Sequence, residues 1–88
     1  MIEHILNKNM RDAFGKMHGY WEVYHSNGNP YIKGNYANGK RHGYWESYFS
    51  NGNLIYKGNY VNGQKLGYWE LFNIDSEKEE IYYLCVKL

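Results

Sequence analysis

Few side chains in this 88-residue sequence could do covalent or acid–base chemistry. They are four histidines (His4, His18, His25 and His42), one cysteine (Cys85), and three glutamates, Glu22, Glu46 and Glu70, that recur every 24 residues. A hydrolase would need a nucleophile beside an oriented base, and a metal centre a convergent set of ligands. His18 and His42 stand one interval apart, but Leu66 occupies the third such position, and a place that leucine can fill does not read as a ligand. Cys85 lies in an apolar run and reads as a buried, inert thiol; a single cysteine forms neither an internal disulfide nor a thiolate metal site. The glycines punctuate turns and build no strand–loop–helix phosphate cradle. The sequence therefore predicts a non-enzymatic protein with no catalytic residue, metal or cofactor.

The remaining chemistry is recognition, and its material is aromatic. Eleven Tyr, three Trp and three Phe make up 19% of the chain. Rings burying about 150–250 Å² each must supply most of the apolar core. Tyrosine also offers large contact area at low entropic cost, as in antibody paratopes. The net charge of +1 gives no general attraction to DNA or to an anionic membrane. The single cysteine fits a reducing compartment such as the cytoplasm. No apolar run is long enough to span a bilayer, and no signal-peptide pattern is expected at the N-terminus. The abundance of Asn, Lys, Tyr and Ile suggests an A/T-rich, bacterial or phage genome.

A repeat must position these residues. Gly19–His42 and Gly43–Leu66 are identical at 15 of 24 positions. Trp21, Trp45 and Trp69 keep the same period, and all ten glycines fall in its register. One domain over 1–88 is expected: a half repeat (5–18), two full repeats (19–42 and 43–66) and a degenerate C-terminal cap (67–88). Asn27-Gly28 and Asn51-Gly52 read as two-residue hairpin turns, and Asn38-Gly39 and Asn62-Gly63 as the turns connecting units. This register sets Glu22 opposite Lys33, Glu46 opposite Lys57, Trp21 opposite and covering Gly34, and Trp45 likewise Gly58.

Alternation then sorts the side chains onto two faces. Trp21, Val23, Ile32, Tyr36, Trp45, Phe49, Leu54, Tyr56, Tyr60, Trp69 and Leu71 form the expected core. Tyr20, Glu22, Tyr24, Tyr31, Lys33, Tyr44, Glu46, Tyr48, Lys57, Tyr68, Glu70 and Phe72 form the other face. Its tyrosines, with Glu22, Glu46, Lys33 and Lys57, are the candidate partner-binding residues. One extra residue near Asn38–His42 would exchange the faces beyond it. Asp75–Glu80 is expected to replace the Asn-Gly turn, and Ile81–Val86 to form the last strand. Ile2, Ile5 and Leu6 admit either a strand or a short capping helix.

The pattern G-Y-W-E-x-Y…N-G-N…K-G-N-Y…N-G-K, spanning Phe14 to Phe72, resembles the MORN repeat, and is closest to the bacterial YwqK-type antitoxin-like variant. The resemblance implies an all-β fold: an elongated, single-layer antiparallel meander of hairpins with roughly six strands. It implies no single activity, since MORN proteins serve as interaction scaffolds and have been associated with membranes. The leading expectation is a small module that masks or regulates a protein partner, antitoxin-like, through its tyrosine face. The alternatives are a phage-type, anti-CRISPR-like inhibitor of a host defence nuclease and a self-associating or membrane-associated scaffold. Glutamates interleaved with the tyrosines weigh against nucleic acid and membrane as partners.

Overall fold

The computed structural model describes residues 8–84, which form one antiparallel sheet. The strands follow sequence order: β1 (Met10–Arg11), β2 (Met17–Tyr24), β3 (Pro30–Ala37), β4 (Lys40–Tyr48), β5 (Leu54–Val61), β6 (Gln64–Phe72) and β7 (Lys78–Tyr83). The fold is the expected all-β meander of consecutive hairpins, with seven strands instead of about six. It is a slab of 40 × 38 × 19 Å, so at this number of units it is about as wide as it is long. The last strand starts at Lys78 and not at Ile81, because Lys78, Glu79 and Glu80 pair with Phe72, Leu71 and Glu70. Val86, Cys85, His4 and the segment holding Ile2, Ile5 and Leu6 lie outside the described residues.

Two kinds of turn build the meander. Asn38-Gly39 has both residues at positive φ, 53° and 79°, which is the two-residue turn whose twist matches the flanking strands. Ala37 pairs with Lys40 across it. Asn27-Gly28 differs from expectation. Only Gly28 is left-handed, its N–H donates to the His25 carbonyl, and the ladder shifts by one residue between Val23 and Tyr24. This is a three-residue hairpin loop closed by a bulge. The shift lies beyond Val23–Ile32, so the expected pairs Glu22–Lys33 and Glu46–Lys57 are present in the register. The cap keeps the same loop although its glycine is gone: Ser76 takes φ 65°, and its N–H donates to the Asn73 carbonyl.

A second bulge falls where the face assignment was most vulnerable. Gly34 pairs with Trp45 and Asn35 with His42, so β4 carries Gly43 and Tyr44 as two extra residues. Two residues preserve side-chain parity where one would invert it. Between the hairpin loops the two faces are therefore those the alternation assigns; Leu54, which pairs with Tyr48 beyond the one-residue bulge, departs from it.

Six rings cross the Trp-bearing face in one row: Trp21, Tyr36, Trp45, Tyr60, Trp69 and Tyr83. Successive centroids lie 5.0–6.2 Å apart at 77–90°, the edge-to-face geometry favoured by the ring quadrupole. Trp45 and Trp69 are wholly buried, Tyr60 nearly so, and Ile32, Tyr36, Tyr56, Leu71 and Tyr83 pack against them. Trp21, Val23, Phe49 and Leu54 are only half-buried.

The glycines under the row are covered from the next unit. A Cβ on Gly34 would lie 2.1 Å from Trp45 Cδ2, and one on Gly58 would lie 2.2 Å from Trp69 Cδ2. Trp21 and Trp45 do pair with these glycines across their own hairpins, but their rings lie elsewhere. Each indole N–H also reaches into the preceding unit, Trp45 Nε1 donating to the Asn35 carbonyl at 2.9 Å and Trp69 Nε1 to that of Asn59 at 3.2 Å. The indole thus joins units where expectation had it closing one. In β7 the residue opposite Trp69 is Ile81, where the two earlier hairpins carry Gly34 and Gly58, the glycines on which the next indole lies. The row ends there.

Candidate functional site

The face opposite the indoles is organised around one row of charges. The register runs Glu22, Lys33, Glu46, Lys57, Glu70, Glu80 across β2 to β7. Each glutamate in the first two units is bracketed by tyrosines two residues to either side. Tyr20 donates to Glu22 Oε2 at 2.7 Å and Tyr24 to Oε1; Tyr44 donates to Glu46 Oε2 at 2.8 Å and Tyr48 to Oε1. Residues two apart on a strand share a face, which is why Y-x-E-x-Y folds into this bracket. The third unit has Phe72 in place of the second tyrosine. There the single Tyr68 hydroxyl proton is shared between Glu80, whose oxygen is 2.6 Å away, and Glu70, at 3.0 Å.

The bulges aim the leading tyrosines. Tyr20, Tyr44 and Tyr68 each follow a glycine at positive φ (Gly19, Gly43 and Gly67), and bulges commonly redirect side chains at functional surfaces. The three rings remain 36%, 47% and 48% exposed although their hydroxyls are fixed. A shallow groove of about 460 Å³ runs between Tyr44 and Tyr68 and is lined also by Lys57, Asn59, Leu66 and Glu70.

The ion pairs differ from those the sequence predicts. Lys33 and Lys57 lie opposite Glu22 and Glu46 in the register, yet Lys57 bonds to Glu70 at 3.3 Å, and Glu22 is paired with Lys8 at 2.8 Å. Lys33 rests over the Tyr48 ring, 5.6 Å from its centroid. In a meander each lysine has a glutamate on both neighbouring strands, and here Lys57 takes the one in the following unit. The like-charged step Glu70–Glu80 is bridged by Lys78, at 3.2 and 3.4 Å. Tyr31, also placed on this face by the sequence, packs edge-on to His25 at 5.0 Å, near the hairpin loops and outside the brackets.

Two neighbouring units match the family model of the MORN repeat variant, at residues 17–38 and 41–62, half of the chain together. The chain belongs to this family. No curated protein and no solved structure matches it. MORN repeat proteins are generally non-catalytic binding or scaffold modules. The third copy, from Gly67, falls outside the matched residues, and it is also where Phe72 interrupts the bracket and Ile81 ends the indole row. Within the MORN units His18 and His42 are exposed, while a His25 ring nitrogen lies 2.9 Å from the Tyr48 carbonyl and ties adjacent loops together. No group of three or more His, Cys, Asp or Glu able to hold a metal occurs among the described residues.

Sequence reasoning missed Lys8, Lys78, Glu80 and Tyr82 as members of this face, since they belong to the irregular ends where the repeat gives no register. It also missed the cations on the other face. Arg11 lies over Trp21, Arg41 over Trp45 at 4.6 Å and Lys65 over Trp69 at 5.1 Å. A signal existed for two of them: Arg41 and Lys65 each follow a connecting Asn-Gly turn by the same step.

The brackets make stability depend on pH at both ends. The ammonium of Lys8, then the Tyr24 and Tyr20 hydroxyls, hold the Glu22 carboxyl down at about 2 against an ordinary 4.5. Lys78 lowers Glu70, and the Tyr68 hydroxyl lowers Glu80. Carboxyls depressed on folding stabilise the fold above their unfolded pKa, and that stabilisation disappears as pH falls through the folded value. Burial, then the bond to Glu46, raises the Tyr44 phenol from 10.0 to about 12, so its contribution is present below pH 10 and is lost as pH rises toward 12. Urea midpoints should hold steady near neutrality, fall from about pH 4.5 downward, and fall again above about pH 10. Glu22→Gln should flatten part of the acid limb, Glu70 and Glu80 supplying the rest; an unchanged limb in that variant would show that Lys8 and the tyrosines do not hold the Glu22 carboxylate.

Proposed function

We propose that this MORN domain is a non-enzymatic, cytoplasmic protein-binding module that masks or regulates a partner protein through its bracketed tyrosine face. The observation behind this reading is the combination of exposed rings and fixed hydroxyls at Tyr20, Tyr44 and Tyr68. A side chain already held in place loses little entropy when a partner covers it, so more of the contact energy appears as affinity. Tyrosine is enriched at interfaces for its large amphipathic area, and alternating Glu and Lys fix the orientation of a partner. The antitoxin-like form of the proposal, with a toxin or nuclease as the masked partner, rests on the likeness of the G-Y-W-E-x-Y pattern to the bacterial YwqK-type variant.

Two experiments test it. Tagged protein recovered from its native cells, with and without nuclease treatment, should bring down one stoichiometric protein partner that resists the nuclease. The double change Tyr44→Ser and Tyr48→Ser should weaken that complex at least a hundredfold, about 3 kcal/mol, the scale of a central aromatic hot spot. The cooperative urea transition should remain. Complete unfolding of this variant would mean that the brackets hold the fold together, and an unchanged complex would place the interface elsewhere.

A further inference from the structure

The net charge of +1 conceals a separation of charge along the strands. At the end of the sheet formed by the connecting turns stand Arg11, Lys16, Lys40, Arg41 and Lys65, and none of them makes an ion pair among the described residues. The nearby carboxylate, Asp12, accepts the backbone N–H groups of Phe14 and Lys16 at Oδ1 and keeps its charge, offsetting one of the five cations. Asp75, Glu77 and Glu79 lie at the opposite end, in the last hairpin loop and the start of β7.

The cations are held in place. Arg41 donates to the Tyr56 and Tyr60 hydroxyls at 3.2 and 3.1 Å while lying over Trp45, and Lys65 is centred over Trp69, Tyr56 and Tyr83. The stems of Lys16 and Lys40 rest 3.7 Å from where a Cβ would stand on Gly39 and Gly63, so the repeat sets their positions too.

We infer that this basic turn edge is a second interaction surface, and that its occupant is an acidic polypeptide segment. Arg41 and Lys65 are one unit, or two strands, apart, which is about 10 Å. In a polyproline II segment, with three residues per turn and a rise of about 3.1 Å per residue, acidic side chains three residues apart share a face and match that interval. Single-stranded nucleic acid fits less well, since it needs open rings on which bases stack, and Trp45 and Trp69 beneath these cations are 0% exposed.

The test is titration of the protein with a labelled peptide of about twelve residues bearing Glu at every third position, beside an oligothymidylate of similar span. The peptide should bind saturably and weaken as salt rises. Lys16→Glu with Lys40→Glu, both exposed and outside the ring row, should lower its affinity at least tenfold. The same loss is expected for Arg41→Gln, with near-ultraviolet circular dichroism used to verify its fold. Tyr44→Ser with Tyr48→Ser should leave peptide binding unchanged, which separates this surface from the tyrosine face. Absence of saturable peptide binding, undiminished binding by the Lys16→Glu, Lys40→Glu variant, or tighter binding of the oligothymidylate would overturn the inference.

Discussion

Trp45→Ala should bring the protein close to its unfolding midpoint at room temperature. Its indole is 0% exposed, stands edge-to-face against Tyr36 and Tyr60, lies on Gly34 and donates to the Asn35 carbonyl. Removing a buried Trp of this kind costs about 3–5 kcal/mol, the sum of lost transfer energy and the cavity left behind. A single-layer sheet has no second layer to collapse into that cavity, which favours the upper part of the range. Against it stands a total stability near the low end of about 5–15 kcal/mol, since a chain of this length buries a small share of its surface. Urea melts followed by far-ultraviolet circular dichroism would measure the loss. Trp21→Ala offers the contrast, because that ring is half-buried at the irregular end and its removal should cost distinctly less. A Trp45→Ala protein with a native-like urea midpoint would refute the indole row as the core.

Gly34→Ala should be nearly as damaging, although it adds only one carbon. The Gly34 backbone is outside the left-handed region, so conformation is not the obstacle. Space is. The new Cβ would stand 2.1, 2.2 and 2.5 Å from three atoms of the Trp45 ring, far inside van der Waals contact. The indole would have to lift, which loosens its contacts with Tyr36 and Tyr60 and strains its bond to Asn35. Overpacking usually costs about 1–3 kcal/mol, and a ring fixed on both sides by neighbouring rings should place this change at the top of that range. The location of the damage is as informative as its size. The indole N–H resonance of Trp45 should move far more than that of Trp21. If Trp21 moved instead, the glycine would be covered within its own hairpin and the link between units would lie elsewhere.

These two expectations concern a joint between units that the sequence could not locate. The sequence does show the period, the turn residues, the identity of the aromatic residues and the pairs Glu22–Lys33 and Trp21–Gly34. Those follow from local rules: Asn-Gly accepts positive φ, and side chains alternate along a strand. The two faces followed as well as far as the hairpin loops, because the bulge at Gly43-Tyr44 inserts two residues and leaves parity intact, whereas the one-residue bulge beyond Ser47 sets Leu54 opposite Tyr48.

What only the tertiary structure decided is which neighbour each side chain uses. Every strand inside a meander has two partners, and the local pattern weighs them equally. Trp45 therefore reads as covering Gly58 but lies on Gly34; Lys57 reads as the partner of Glu46 but bonds to Glu70. The bracketed tyrosines were legible by type and spacing, whereas their fixing by Glu22, Glu46 and Glu70 depends on hydroxyl positions that only folding sets. The basic edge was hidden for a similar reason. Net charge sums over the whole chain, while the electrostatic field at a surface depends on where the charges stand, and the meander places Arg11, Lys16, Lys40, Arg41 and Lys65 at the same end of the sheet.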